Sequence, residues 1–446
     1  MNILLINPPR SPHNAILAHA PEEAKRFIHR KLIGPPLGLI TVAAAAKGHD
    51  VTVLDMKGEY DLDPSAPPPG ELAVRWMAEH KPSVVGVTVI ASEFPAAMEI
   101  LRAVRTADPS VLTVAGGLHA TLCPRDFSRA EVDVVCPGQS AHVFRRLLDE
   151  RWAGRPLESV DGIYVNGPNG LRYTRTPAAV PDPAVEGFVM PDRSHLKRWI
   201  STYRVGGSPN PVTYLFTSLG CPYRCSFCSI WPQFGGRYHQ RDVESVVTEL
   251  KSMPEYGVVR FADANTVVNT AFVERLLDRI EQEGIRKEYV MDLRADTAAK
   301  HPRLIERLAK AGLKVVICGF ESHRSQELER YNKSCDASLV TEAIRVLNAN
   351  GISVRGNYVV PPDYTEADFS SLAEYASAHR VTFAGYTILT PMPGTQLFLD
   401  MVHEITDFDL ARYNFFNCVL RTRLPLEQFY AQMAQLWPIK MGPEVI

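Results

Sequence analysis

The sequence predicts an α/β protein in two large units: a doubly wound parallel-sheet domain, then a partial (β/α)6 barrel with a short C-terminal segment. Three observations lead there. Short, nearly all-apolar runs alternate with longer amphipathic stretches, as in parallel sheets covered on both faces. The alternation stops once, over residues 151–208, where Pro, Gly and Arg accumulate and periodicity fades. It then resumes for six further strands, two short of a complete eight-unit barrel.

In the first unit (residues 1–150), residues 2–6 form an apolar run stopped by Asn7-Pro8-Pro9. Further strands are expected over 49–55, 83–89, 112–115 and 132–136, and helices over 40–47, 71–80, 96–108 and 141–150. Ligands of such sheets sit beyond the carboxyl ends of the strands. Those ends carry Asp55, Thr88 to Ser92, Gly116-Gly117 and Gly138. Residues 151–208 read as a linker with a small hairpin near Gly162 to Val165. In the second unit (209–400), strands are expected over 212–216, 258–261, 289–293, 314–318, 352–359 and 383–388, with helices between them. Residues 401–446 form an aromatic-rich segment, expected to be helical.

Composition narrows the function. Lys plus Arg number 48 and Asp plus Glu 50, a net charge of −2, which argues against a nucleic-acid binder working through bulk positive charge. No run of 18 apolar residues suggests a membrane span, and the first residues lack the pattern of a signal peptide. The expected location is the cytoplasm. Eight cysteines occur, at 123, 136, 221, 225, 228, 318, 335 and 418. A long chain of this kind needs no disulfide staples, and three of the eight crowd into one loop.

That loop is Gly220-Cys221-Pro222-Tyr223-Arg224-Cys225-Ser226-Phe227-Cys228. Its Cys-x3-Cys-x2-Cys spacing puts three thiolates within reach of three irons of a [4Fe–4S] cluster, which normally takes four cysteines. A missing fourth ligand leaves one iron open to a small molecule. A structural zinc site is the alternative, but it normally closes with four Cys or His ligands, and the next His in sequence is His239. Chance clustering is the other.

On these residues the chain resembles the radical S-adenosylmethionine (SAM) family, whose hallmark is this cysteine loop after the first strand of a partial barrel, with an aromatic residue (here Phe227) before the last Cys. The resemblance spans roughly residues 209–400. It implies that Cys221, Cys225 and Cys228 hold a [4Fe–4S] cluster, and that reductive cleavage of SAM yields a 5′-deoxyadenosyl radical. It also implies SAM contacts from Phe227, Asp263, Asn265, Arg294, Glu321 and Asn357, all at or beyond carboxyl ends of barrel strands or on the cysteine loop, with rim ion pairs as the plainer reading. The turn Leu389 to Thr395 is either structural or touches substrate.

The first unit is similar to the cobalamin-binding half of the cobalamin-dependent (class B) radical SAM enzymes. The similarity rests on Pro35-Pro36-Leu37-Gly38-Leu39, on Gly48 to Asp55, on Ala115-Gly116-Gly117 with His119, and on Asp133 to Gly138. It implies a Rossmann-like fold and a cobalamin site at Pro36, Asp55, Thr88, Ser92, Gly116, Gly117, His119 and Gly138. Two departures stand out. No Asp-x-His-x-x-Gly supplies a lower cobalt ligand, leaving His119 as a substitute candidate or a packing residue. The family's acidic Gly-Glu-Gly-Glu is here Gly138-Gln139-Ser140-Ala141. A scaffold that has lost cobalamin is therefore the alternative for this domain.

The two resemblances together imply a C-methyltransferase acting on an unactivated carbon of a small-molecule or lipid precursor, supplied with electrons by a donor such as flavodoxin or ferredoxin. Radical ring formation, ring contraction or oxidation without methyl transfer is the rival chemistry, and a non-catalytic iron–sulfur or zinc scaffold the rival class. In the C-terminal segment, Cys418 and Tyr413 are candidate hydrogen donors to a product radical; for Cys418 a buried small hydrophobe is the plainer reading.

Overall fold

The computed structural model describes residues 1–22, 24–25, 34–174, 187–204, 208–379, 381 and 383–437. The first sheet has seven strands: β1 (Asn2–Asn7), β2 (Asp50–Asp55), β3 (Val84–Thr88), β4 (Leu112–Gly116), β5 (Val134–Cys136), β6 (Tyr164–Gly167) and β7 (Gly170–Tyr173). Their order is β2-β1-β3-β4-β5-β6-β7. β1 to β5 are parallel, and β6 and β7 continue the edge antiparallel. The hairpin read as part of a linker is thus the rim of the first sheet. Ile3 to Ile6 are at most 1% exposed, as strands covered on both faces require. The helix expected over 40–47 runs Leu37–Ala45. It starts earlier because Pro36, with its φ fixed, already serves as the N-cap residue.

The second unit begins with β8 (Val212–Leu215). A small antiparallel pair follows, β9 (Ser218–Gly220) with β10 (Tyr238–Gln240). Then come β11 (Val258–Phe261), β12 (Glu288–Arg294), β13 (Leu313–Glu321), β14 (Ser353–Val360) and β15 (Phe383–Ile388). The six-stranded sheet is all parallel, in the order β15-β14-β13-β12-β11-β8. Local signals set its helices: Asn269 and Asp336 cap Thr270–Gln282 and Ala337–Ala349, and Thr365 with Asp368 forms a capping box for Glu366–Ala378. The helices Ala295–Lys300 and Ser325–Arg330 are additional to those expected from sequence.

Strand alternation splits the barrel residues between two cores. Leu215, Phe261, Met291 and Val316 pack outward with the helices. Val212, Val258, Val290, Val315 and Ile317 belong to the same cluster as Ile3 to Ile6 and Val84, so the first domain's core continues into the inner face of the barrel. The connecting turn Arg193–Thr202 ties the seam. Arg193 bonds to Thr213 Oγ1 at 2.9 Å and to Glu249 at 2.6 Å, while Arg198 and the Trp199 indole both donate to Glu59. The C-terminal segment is less helical than expected: beyond the helix Gln396–Met401 it has short 3-10 turns, one bridge between Ile405 and Leu420, and the helix Leu426–Gln435. No helix among the described residues is long and apolar enough to cross a membrane.

Candidate active site

The carboxyl ends of the two sheets face one cavity of about 580 Å³. On the first-domain side its wall includes Gly38, Thr41, Thr88, Gly116, Gly117 and Gly138; on the barrel side it includes Gly220, Phe234, Arg260, Asp263 and Asp292.

The cysteine loop leaves β9 through Gly220, at φ +80, where a Cβ would lie 2.1 Å from the Arg237 carbonyl oxygen; only glycine fits there. Asp263 holds the approach. Its carboxylate accepts from the amides of Thr217 (2.9 Å) and Ser218 (2.6 Å) and from both hydroxyls. Burial raises its pKa to about 6, against the pull of those four bonds. Asp263 is thus engaged with the backbone that aims the loop. Within the loop, the Trp231 indole donates to Cys225 O at 2.9 Å, and Ser226 N donates to Tyr331 O at 3.1 Å. The Asn332 amide donates to Arg224 O at 2.8 Å. Phe227 packs edge-on against Tyr331, with ring centres 5.6 Å apart.

Cys221, Cys225 and Cys228 are free thiols. Burial raises the pKa of Cys225 and takes Cys228 up to about 11, so a metal must draw off their protons. A single tetrahedral zinc would gather three sulfurs to roughly 3.8 Å from one another, given Zn–S bonds of about 2.3 Å. Among the described residues, the one trio of ligand atoms within 4.8 Å of one another is His119, Cys123 and Asp126. Cys221, Cys225 and Cys228 form no such trio, and three thiols with no fourth Cys or His grouped with them among the described residues fit a [4Fe–4S] cluster with one open iron better than a closed zinc.

Beside the loop stands a set of buried charges. Glu321 ends β13 at φ +61, a conformation uncommon outside glycine. Its Oε1 is 2.5 Å from Lys333 Nζ. A Cβ on Gly319 would clash with that carboxylate. Arg294 donates to Asp296 at 2.9 Å and to Lys333 O at 2.7 Å, and its guanidinium lies 3.7 Å from the centre of the Tyr223 ring. Lys333 escaped the sequence reading. The available signal was the Tyr331-Asn332-Lys333-Ser334 turn, whose Asn332 and Ser334 take positive φ. Asn265 is 2% exposed with both amide atoms unpartnered, a costly arrangement that a polar ligand would relieve. Asn357 is exposed on β14. Paired acid and base, a stacked guanidinium and an unsatisfied amide fit the zwitterionic end of SAM.

The first-domain wall differs. Gly117 sits at φ +92, and a Cβ there would approach Val89 N and Thr88 Oγ1 to 2.7 Å. Around Gly38 and Gly138 no described atom lies within 4 Å of where a Cβ would stand. That backbone forms an open cradle which side chains would fill, and it fits a large, flat cofactor such as cobalamin.

Several expected site residues lie elsewhere. Asp55 caps the helix Met56–Leu62 and binds Asn7 and the Tyr203 hydroxyl, each at 2.7 Å. Pro36 is the cap residue of Leu37–Ala45, and Ser92 is buried in the turn Ala91–Glu93. None of the three lines the cavity, and neither do Asn265, Arg294, Glu321, Asn357 or the three loop cysteines. His119 does not line it either: its ring packs between Phe94 and Phe127. Cys418 and Tyr413 are buried in the outer apolar layer of the barrel. There the Cys418 thiol meets Leu420 O at 3.4 Å and the Tyr413 hydroxyl meets Asp407 O at 3.0 Å, and neither residue lines the cavity.

A glycine cradle in one domain and a three-thiol loop rooted at the wall of the same cavity in the other mark a two-domain protein suited to two cofactors. Comparison with known proteins agrees. A profile described as the radical SAM superfamily matches residues 215–376, and one described as the B12 binding domain matches residues 26–148. An uncharacterized methyltransferase of Pyrococcus horikoshii is 28% identical over 405 residues, covering 89% of this chain and 82% of that one. The hopanoid C-3 methylase of Methylococcus capsulatus is 24% identical, covering 90% and 75%. In fold, the chain is similar to the radical SAM methyltransferase TsrM of Kitasatospora setae, solved with tryptophan and a SAM analogue (TM-score 0.69, 20% identity, 90% of this chain and 76% of that one). It is also similar to the cobalamin-dependent radical enzyme OxsB, solved with aqua-cobalamin and SAM (0.72, 14%, 97% and 65%). The chain belongs to the cobalamin-dependent radical SAM family.

Proposed function

We propose that the chain is a C-methyltransferase working on an unactivated carbon of a small-molecule or lipid precursor. The observation that carries this is the single cavity lined on one side by the glycine cradle and on the other by Asp263 and by Gly220 at the root of the cysteine loop, room for one substrate between a methyl-carrying and a radical-forming cofactor. When bound, the cluster with SAM supplies the radical and cobalamin carries the methyl group.

The chain's own residues bind, orient and exclude water. Cys221, Cys225 and Cys228 would hold three irons of a [4Fe–4S] cluster, leaving one iron for SAM. Glu321 and Lys333 match the ammonium and carboxylate of a zwitterion, and Asn265, beyond β11, offers an unpartnered donor and acceptor. Gly38 and Gly138, open where a side chain would stand, would let a corrin ring lie against backbone. Deeper in the cavity, Arg260 pairs with Asp292 at 2.9–3.0 Å, and Arg241 with Glu249 at 2.6 Å. The walls are therefore close to neutral, which supports a substrate without strong charge. A reducing compartment such as the cytoplasm and a flavodoxin- or ferredoxin-like donor complete the proposal.

Product counting tests it. With substrate, reductant and SAM, one S-adenosylhomocysteine and one 5′-deoxyadenosine should form per methylated product. 5′-Deoxyadenosine without S-adenosylhomocysteine would replace this reading with ring formation or oxidation.

A further inference from the structure

The trio His119, Cys123 and Asp126 lies outside the cavity and has no part in the chemistry above. Its spacing begins in the sequence. His119 lies on the helical turn Leu118–Leu122 and Cys123, four residues on, is its C-cap residue, joined by the Cys123 N to His119 O bond at 2.8 Å, so they share one face. Asp126 follows on the next turn, Pro124–Phe127. One ligand atom from each lies within 4.8 Å of the others.

The His119–Asp126 contact is the telling detail. Nε2 stands 2.9 Å from Asp126 Oδ2, yet this buried nitrogen makes no hydrogen bond. The oxygen therefore lies off the direction in which a ring N–H points. An ordinary His–carboxylate pair puts it on that direction. Two ligands of one ion do the reverse: each aims at a third point about 2.0–2.2 Å away, leaving N and O roughly 3 Å apart and out of line. Phe94 and Phe127 hold the imidazole ring from two sides, with centres at 5.2 and 5.7 Å. Asp126, half open to solvent, leaves room for water on the remaining side.

We infer that His119, Cys123 and Asp126 form a second metal site, for a Zn2+-class dication held by one nitrogen, one sulfur and one oxygen, with water as fourth ligand. The donor set is that of zinc. Without metal, burial and the Asp126 charge push the Cys123 thiol up to about 12. Binding releases that proton to solvent and involves no redox step. Closing the trio onto an ion needs side-chain movement of about an ångström. The site sits on the turn that begins at Gly117, so a bound ion would brace the edge of the glycine cradle.

The test uses the full chain with its iron–sulfur cluster reconstituted, exposed to zinc chloride and desalted. Metal analysis should find close to one zinc per chain with iron unchanged. X-ray absorption at the zinc edge should show one sulfur among nitrogen and oxygen neighbours. Cys123→Ser and Asp126→Asn should each weaken zinc binding at least tenfold while keeping iron and the fold; Asp126 is exposed enough that its replacement spares the core. Zinc content indifferent to both variants, no zinc on the reconstituted protein, or an all-sulfur shell that appears only as iron is lost would each overturn the site. The last result would leave the radical SAM assignment standing.

Discussion

The charged barrel mouth and the first-domain wall of the cavity solve the same problem by opposite means. The barrel mouth is crowded with buried charge, each group committed to a partner: Glu321 to Lys333, Arg294 to Asp296, Asp263 to the loop backbone. The first-domain face is made by omission, with glycines where side chains would stand and no charged residue among Gly38, Thr88, Gly116, Gly117 and Gly138. A small zwitterion needs complementary charge at fixed positions. A broad macrocycle needs access to backbone. The two faces should therefore fail independently.

The largest effect is expected at the cluster loop. Cys225→Ala should abolish iron binding and reductive SAM cleavage, below about a thousandth of wild type by the scale of losing an essential group, while cobalamin still binds. Retained SAM cleavage would defeat the assignment. Lys333→Met comes next. It leaves a buried carboxylate without its cation, an arrangement that costs roughly 3–5 kcal/mol when it cannot relax. SAM affinity, read by calorimetry on the cluster-loaded protein, should fall at least tenfold; Lys333→Arg should recover part of it, and cobalamin affinity should not move. The mirror experiment is Gly38→Leu. It fills the cradle from a helix that gains propensity, by up to about 1 kcal/mol relative to glycine. Thermal stability should hold or rise, and cobalamin uptake should drop at least tenfold with iron content unchanged. If Lys333→Met weakens cobalamin, or Gly38→Leu weakens SAM, the two faces are coupled and the contrast fails. The smallest effect is expected at Cys418→Ala, which removes a buried sulfur from the outer layer. It should cost roughly 1–2 kcal/mol of stability and change turnover less than twofold; a loss of product with continued SAM cleavage would restore Cys418 as a hydrogen donor.

Strands were legible in the sequence because parallel strands buried on both faces are written as apolar runs, as Ile3 to Ile6 and Val84 to Val87 illustrate. The cysteine loop was legible because its spacing is local. Residues that act across the fold were harder. Lys333 belongs to the site only because a turn with two positive-φ residues folds it over Glu321, and no local spacing records that. Asp55, His119 and Cys418 have the chemistry of cavity residues and follow plausible motifs, yet helix capping, the slot between Phe94 and Phe127 and the outer core hold them off the cavity. Side-chain direction decided each case, and one-dimensional pattern does not carry it.

The core shared by the first sheet and the inner barrel face has a bearing on how the enzyme opens. Val212, Val258 and Ile317 pack in the same cluster as Leu4 and Val84, so swinging the halves apart would expose the interior of both. Hinged domain closure is thereby costly, and the route for large cofactors and substrate falls to loops at the rim. Calorimetrically, the two domains should melt as one.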